Sequence, residues 1–316
     1  MKVINNIALS ITLISLMNSA FAQNTPQGVS IANDQVPPSK NAMLDVVSTE
    51  KGMLIPRVTH STISDPTGAL RPSSIIPGED GLMQAYFELI NMPQTSCDYY
   101  QAALTFNKRD MLSVLKPYGI KTATSFYLNL GDDINVDAIL EKVGLPCFVK
   151  PNKSGSSFGI SKVKTREEFL PAIENAYKED DEIIIESFLD GTEVSVGVIN
   201  YKGTVTVLPI TEIVSENDFF DYEAKYLGKS KEITPARISD ELKIKIETVA
   251  KRAYEVLKMK GFSRSEFIIV NNEPHMLEMN TIPGLTTESI LPQQAREAGI
   301  SLPELFENAI ELALKK

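Results

Sequence analysis

Two carboxylates and an amide crowd the stretch "SEFIIVNNEPHMLEMN". Glu278 and Asn280 stand two residues apart, and side chains on a strand alternate between faces, so both point the same way. "NNEP" reads as a turn that returns Glu266 on the partner strand, onto that face if the register permits. Two carboxylates and an amide oxygen converging there are hard donors suited to Mg²⁺ or Mn²⁺. Arg264, two residues before Glu266, could reach a phosphate beside such an ion. A solvated polar face is the plainer account, but the neighbours weaken it. Phe267, Ile269, Leu277 and Met279 are expected to bury the opposite face, and Ile268, Val270 and Met276 make this face partly apolar. Acidic groups set among such neighbours need a cation.

A second group lies in "FVKPNKSGSSFGISKV". Lys150 ends an apolar strand and precedes a loop of small residues, Ser154 to Gly159, whose backbone N–H groups can close over a polyphosphate. The loop is neither a Walker A sequence nor a dinucleotide fingerprint, and alone it is equally compatible with an ordinary connection. "ESFLDGTE" spaces Glu186 and Glu193 around a turn. In a nucleotide site such a turn offers backbone groups to the base and a carboxylate to the ribose, although alone it reads as a strand connection.

These groups need elements to hold them. From about Ile75 onward, short apolar runs alternate with amphipathic helical patterns, an α/β signal. "CFVKP", "EIIIESF" and "TEVSVGVI" read as strands, and Thr165 with Glu168 forms a capping box for a helix through about Tyr177. A long helix is expected over 239–260, with Leu242, Ile246, Val249, Ala253, Val256 and Leu257 on its apolar stripe, Ser239 capping its start and Gly261 its end. Glu79 and Asp80 read as a turn and helix start.

At 316 residues, the chain has length for about two domains. A net charge of −10 argues against general nucleic-acid binding, which demands basic surface. Two cysteines without CxxC spacing exclude a disulfide scaffold or zinc knuckle, and two histidines leave little for histidine catalysis. Lys2, the apolar run Ile7 to Met17 and Ala20-Phe21-Ala22 follow the plan of a secretory signal over 1–22, too short to be a stable membrane span. Residues 23–75 are rich in Pro, Ser, Thr, Asn and Asp without sustained periodicity, and "AMLDVVSTEKGMLIPRVT" resembles a stretch that follows the signal in some bacterial surface proteins.

In order, "PGEDG", "ALTFNK", "FVKPNKSGSSFGISKV", "DYEAKYLG" and "LEMNTIPGLTTESILPQQAR" resemble the motifs of the ATP-grasp family, specifically its D-alanine–D-alanine ligases, over about Ile76 to Lys316. The resemblance implies an ATP-grasp fold of two α+β subdomains that clasp ATP, at 108–190 and 191–316. A remnant of an N-terminal α/β domain would precede them at 76–107. It also implies ATP, Mg²⁺ and D-alanine as reactants, an acyl-phosphate intermediate, a role in peptidoglycan precursor synthesis, and the homodimer usual in the family. Position by position, Lys108 and Lys150 match lysines on the ATP phosphates, and Ser156 and Ser157 the loop over them. Glu186, Ser187, Leu189 and Glu193 match the adenosine pocket, and Lys225 matches a phosphate contact. Tyr226 matches the tyrosine associated with D-alanine as second substrate. Glu266, Glu278 and Asn280 match the metal ligands, although many members carry aspartate first. Arg264 and backbone near Gly284 match the groups that steady the tetrahedral intermediate, and Ser289 with Ile290 the holder of the second carboxylate. Arg264, Ser156 and Tyr226 form the expected catalytic set.

The family's first domain opens with a glutamate that orients the first ammonium, and no such stretch stands upstream here, where Ile75-Ile76 replaces a histidine-glycine pair. The expectation is a fusion, a misassembled gene or a truncated relative, with ligase activity impaired to the point of being weak or absent. Two other readings remain: a non-catalytic exported protein that retains an ATP shell, and a ligase for another carboxylate and amine. Family chemistry belongs to the cytosol, whereas the signal-like segment would direct export.

Overall fold

The computed structural model describes residues 29–32, 44–47, 78–155, 157–215 and 230–315. The chain divides into a unit over Met1–Ser64 and another over Asp65–Lys316. In the first, β1 (Val29–Ala32) and β2 (Leu44–Val47) pair in parallel. The signal-like segment lies outside the described residues.

The second unit opens with α1 (Leu82–Leu89), α2 (Tyr99–Phe106) and α3 (Lys108–Leu115), followed by β3 (Lys121–Thr122) and β4 (Ser125–Asn129). Then come α4 (Val136–Val143), β5 (Cys147–Pro151), β6 (Ser161–Val163), α5 (Phe169–Ala176) and β7 (Glu182–Ser187). β4, β7, β5 and β6 form a four-stranded sheet in that order. It buries Val149, Ile183 and Ile185 against Ile139 of α4 and Phe169 and Ile173 of α5. Both halves of the Thr165–Glu168 capping box are present, ahead of a single 3₁₀ turn that leads into α5.

The chain continues through β8 (Thr192–Tyr201), β9 (Thr204–Val207), β10 (Thr211–Ser215), β11 (Ser230–Ile233), α6 (Asp240–Val256), β12 (Phe262–Val270), β13 (Glu273–Asn280), α7 (Ile290–Glu297) and α8 (Leu302–Leu314). Strands β11-β10-β8-β12-β13-β3 make the larger sheet, with β9 also on β8. β8 is buried on both faces, which explains its near-continuous apolar run. Val194, Val196 and Val198 pack with Ile246, Ala250 and Ala253 of α6, whereas Ile199 packs with Leu291 and Ala295 of α7.

Ser239 caps α6 as expected, its Oγ accepting from the Leu242 amide at 3.3 Å. Gly261 does not end that helix, which stops at Val256 while Lys258 takes the left-handed conformation at φ 53°. Gly261 instead lets backbone approach: a Cβ there would lie 2.5 Å from the Thr95 carbonyl oxygen. Asp80 accepts from the Leu82 amide at 3.0 Å at the start of α1, the turn role read for it.

Candidate active site

One face of the larger sheet presents its side chains in rows. Glu193 lies across from Ile268, Ser195 across from Glu266, and Gly197 across from Arg264. On the far side of β12, Glu266 faces Glu278 and Arg264 faces Asn280. Cross-strand partners share a face, so this register brings Arg264, Glu266, Glu278 and Asn280 together, which the spacing along the chain had left open.

The register shifts between Glu266 and Phe267, which pair with Glu278 and Met276 and leave Leu277 as the extra residue. This corrects the expected faces of two residues. The bulge turns Met276 into the core, wholly buried, and sends Leu277 to the cavity side beside Glu278.

That cavity, of about 480 Å³, is lined by both sheets. The smaller sheet and its loops contribute Phe148, Lys150, Ser157, Glu186 and Ser187; the larger contributes Glu193, Glu212, Glu266, Ile268 and Glu278. Leu189 and Gly191 line it from the connection between β7 and β8. That connection fits closely, since a Cβ on Gly191 would lie 2.0 Å from the Ile269 carbonyl oxygen.

Lys150 donates to Glu186 Oε2 at 2.8 Å, and its ammonium stands 5.3 Å from the centre of the Phe148 ring. Burial pulls the Lys150 pKa down, but Glu186, Glu278 and Glu193 outweigh it, and the net shift is upward. Glu186 is 3% exposed and its Oε1 has no partner. Lys108, at the first position of α3, donates to the Ser154 carbonyl at 2.8 Å and stands 3.5 Å from Glu278 Oε2. Two lysines from different elements, β5 and α3, therefore point into the carboxylate cluster. Ser157 takes φ 60° in the loop after β5. Ser187 Oγ accepts from the Thr124 amide at 3.1 Å.

Arg264 Nη1 bonds Glu266 Oε1 at 2.5 Å and Ser195 Oγ at 3.0 Å. Its burial would lower the pKa, and the surrounding Glu266, Glu278 and Glu232 raise it instead. Glu266 and Glu278 fit a hard divalent cation: two carboxylates in register on neighbouring strands, faced by cations that a metal and phosphates would replace. Asn280 Oδ1 accepts from the Ile282 amide at 2.8 Å, a bond that steadies the turn and leaves one lone pair. Among the described residues no group of three or more His, Cys, Asp or Glu forms a metal cluster, consistent with a set of only two carboxylates.

Gly284, Ser289 and Ile290 form a separate group at the start of α7. Ser289 Oγ lies 2.8 Å from Thr286 Oγ1 and accepts from the Thr286 amide at 3.2 Å. A Cβ on Gly284 would stand 2.7 Å from that Oγ. Ile290 packs on Ile213 of β10, itself part of the cavity wall. Ser156, Lys225 and Tyr226 lie outside the described residues.

Phe148, Leu277 and Glu212 are among the cavity residues to which the reading of the sequence gave no place in the site. Phe148 was open to discovery, because period two puts it on the face of Lys150. Leu277 was hidden by the bulge. Glu212 carried no motif; its carboxylate takes two bonds from the Arg237 guanidinium at 2.9 and 2.7 Å.

Residues 114–311 match the family described as "D-ala D-ala ligase C-terminus". Residues 30–83 match a "Phage tail like trimerisation region". A D-alanine–D-alanine ligase of Flavobacterium johnsoniae is 81% identical over 238 residues, which are 75% of this chain and 74% of that one. The fold is similar to a crystal structure of D-alanine–D-alanine ligase from Bacillus anthracis, with TM-score 0.67, 31% identity, and coverage of 75% of this chain and 77% of the other. It is also similar to the VanG D-Ala:D-Ser ligase from Enterococcus faecalis, with TM-score 0.66, 33% identity, and coverage of 75% and 69%. A cavity clasped by two sheets, lysines aimed at paired carboxylates, and this degree of identity converge: the chain belongs to the D-alanine–D-alanine ligase family.

Proposed function

We propose that the chain is an ATP-dependent carboxylate–amine ligase that joins two D-alanine molecules and so supplies a peptidoglycan precursor. The observation that carries this is the meeting of Lys150 and Lys108 with Glu186 and Glu278 in the cavity between the sheets. The base and ribose fit between Phe148, Leu189 and Leu277, with Glu193 toward the ribose and Glu186 and Ser187 at the strand end. Lys108, Lys150 and the loop through Ser156 and Ser157 grip the phosphates, and Lys225 joins them. The four-stranded and larger sheets are the two halves of the clasp.

Glu266, Glu278 and Asn280 would hold Mg²⁺, which supplies charge neutralisation to the transferring phosphoryl group. The carboxylate of the first D-alanine attacks the γ-phosphorus, and ADP leaves. The amine of the second then attacks the acyl carbon, and inorganic phosphate leaves. Arg264 holds the oxyanion of that addition, and its raised pKa keeps it charged throughout. Ser289 and the first amides of α7 take the second carboxylate, and Tyr226 favours an amine over a hydroxy acid. ADP release from the full chain with ATP, Mg²⁺ and D-alanine tests this, with the dipeptide read by mass. ATP binding without any D-alanine-dependent turnover would favour the non-catalytic alternative. Products from D-serine or another amine would move the assignment within the family, a choice raised by the VanG likeness.

A second reading concerns assembly. The match over 30–83 favours a trimer in place of the family's usual dimer. The stoichiometry from light scattering on the full chain decides between them. No helix of the described residues is long and apolar enough to cross a membrane. The reaction belongs where ATP is present, in the cytosol.

A further inference from the structure

Ser195 joins two parts of the site that the chain places far apart. Its hydroxyl oxygen accepts from Arg264 at 3.0 Å, and its carbonyl oxygen accepts from Gln294 Nε2 at 2.9 Å. Gln294 lies on α7, five residues after Ser289. We propose that Gln294 is a positioning residue that locks α7, and with it Ser289 and Ile290, to the strand position that also holds Arg264.

Gln294 is wholly buried, as are Ser195 and Thr211. The same Nε2 also donates to Thr211 Oγ1 at 3.0 Å. Ser195 and Thr211 are register partners on β8 and β10, so one amide bridges two strands at a single rung. Thr211 Oγ1 is held in turn by Thr234 Oγ1 at 2.6 Å. A leucine or methionine would fill the same space without donating, and an apolar residue is the ordinary choice on the buried face of a helix. The amide is therefore a departure that ties direction as well as distance, since hydrogen bonds constrain angle where apolar packing does not.

The sheet has made room for it. A Cβ on Gly197 would lie 2.6 Å from Gln294 Oε1, so glycine at that rung admits the side chain. Gly197 is the register partner of Arg264, and Ser195 of Glu266. Gln294 therefore sits over the two rungs that carry the oxyanion and metal groups. Its Oε1 has no partner, so the side chain keeps its place at the expense of an unsatisfied acceptor. In a helix, five residues span about 7.5 Å, so a tilt about Gln294 moves Ser289 by a comparable lever. The bond fixes where the second substrate's carboxylate stands relative to Arg264.

This inference rests on Ser289 and Ile290 forming the carboxylate subsite, so its test has an arm independent of turnover. Gln294→Met keeps the volume and removes both donated bonds. In hydrogen–deuterium exchange on the full chain, amides of 286–295 should exchange at least about threefold faster in this variant. Those of 182–187, on the other sheet, should not change. In steady-state kinetics, KM for D-alanine should rise about tenfold while KM for ATP stays put. Unchanged exchange at 286–295, or equal acceleration in both sheets, overturns the lock. Local acceleration with an unchanged D-alanine requirement overturns its link to the subsite. A wild-type chain without D-alanine turnover sinks the ligase reading instead, and exchange still decides the lock. If Gln294→Met does not fold, Thr211→Val removes one acceptor and should give a smaller effect in the same direction.

Discussion

Lys150 and Glu186 form a buried ion pair whose second carboxylate oxygen has no partner. Breaking one side of such a pair leaves a charge without compensation, at about 3–5 kcal/mol. Lys150→Met is expected to lower the thermal midpoint and abolish D-alanine-dependent ADP release. Restoring stability, but not turnover, by adding Glu186→Leu would separate the structural share from the catalytic one. Glu278 differs, because Lys108 and the cavity keep it closer to solvent. For Glu278→Gln the Mg²⁺ concentration at half-maximal rate should rise at least about tenfold, and excess chelator should silence the wild type. An unchanged metal requirement would remove Glu278 from the metal set. Glu212 gives a prediction in pH. Hydrogen bonds from Arg237 hold its pKa below the ordinary 4.5, so its contribution to stability is present above that value. The contribution is lost as pH falls through the folded-state pKa. Glu212→Gln should therefore flatten the acid limb of the stability curve below about pH 4.5 and leave the alkaline limb alone.

At the scale of elements, the connection between β7 and β8 matters because it passes from one sheet to the other while lining the cavity. Gly191→Ala drives a methyl against the Ile269 carbonyl oxygen, a rigid neighbour. Overpacking of this kind costs about 1–3 kcal/mol, and the expected result is weaker ATP binding by calorimetry with a smaller loss of stability. Normal affinity in a folded Gly191→Ala protein would show that the connection yields. The bulge at Leu277 shows how much one residue decides. Strict alternation sends Leu277 and Met279 to the same face, and the extra residue parts them. Glu278 and Asn280 lie beyond it on one uninterrupted run, which is why their pairing was legible from spacing.

For the whole molecule, the cavity between the sheets couples nucleotide binding to stability. A ligand that binds only the folded chain stabilises it by RT ln(1 + [L]/Kd), about 2.7 kcal/mol at a hundredfold excess over Kd. A non-hydrolysable ATP analogue with Mg²⁺ should raise the thermal midpoint of the Asp65–Lys316 unit, and omission of Mg²⁺ should remove much of that rise. No shift at saturating analogue would argue against the nucleotide site.

Local chemistry was enough to identify the strands that hold Lys150 and Glu186, the capping box at Thr165, the start of α6 at Ser239, and the shared face of Glu278 and Asn280 on one strand and of Arg264 and Glu266 on the other; the bulge decided that the two pairs meet. Each depends on spacing along the chain, where period and capping act over a few residues. The sequence also carried the family, through ordered motifs. Only the tertiary structure decided that Met276 turns inward, that Gly261 serves a close approach to Thr95, and that Glu212 joins the cavity wall. It alone brought Gln294 to Ser195, 99 positions away in sequence. Contacts of that kind depend on which surfaces meet after the sheets pack, and no local periodicity encodes them.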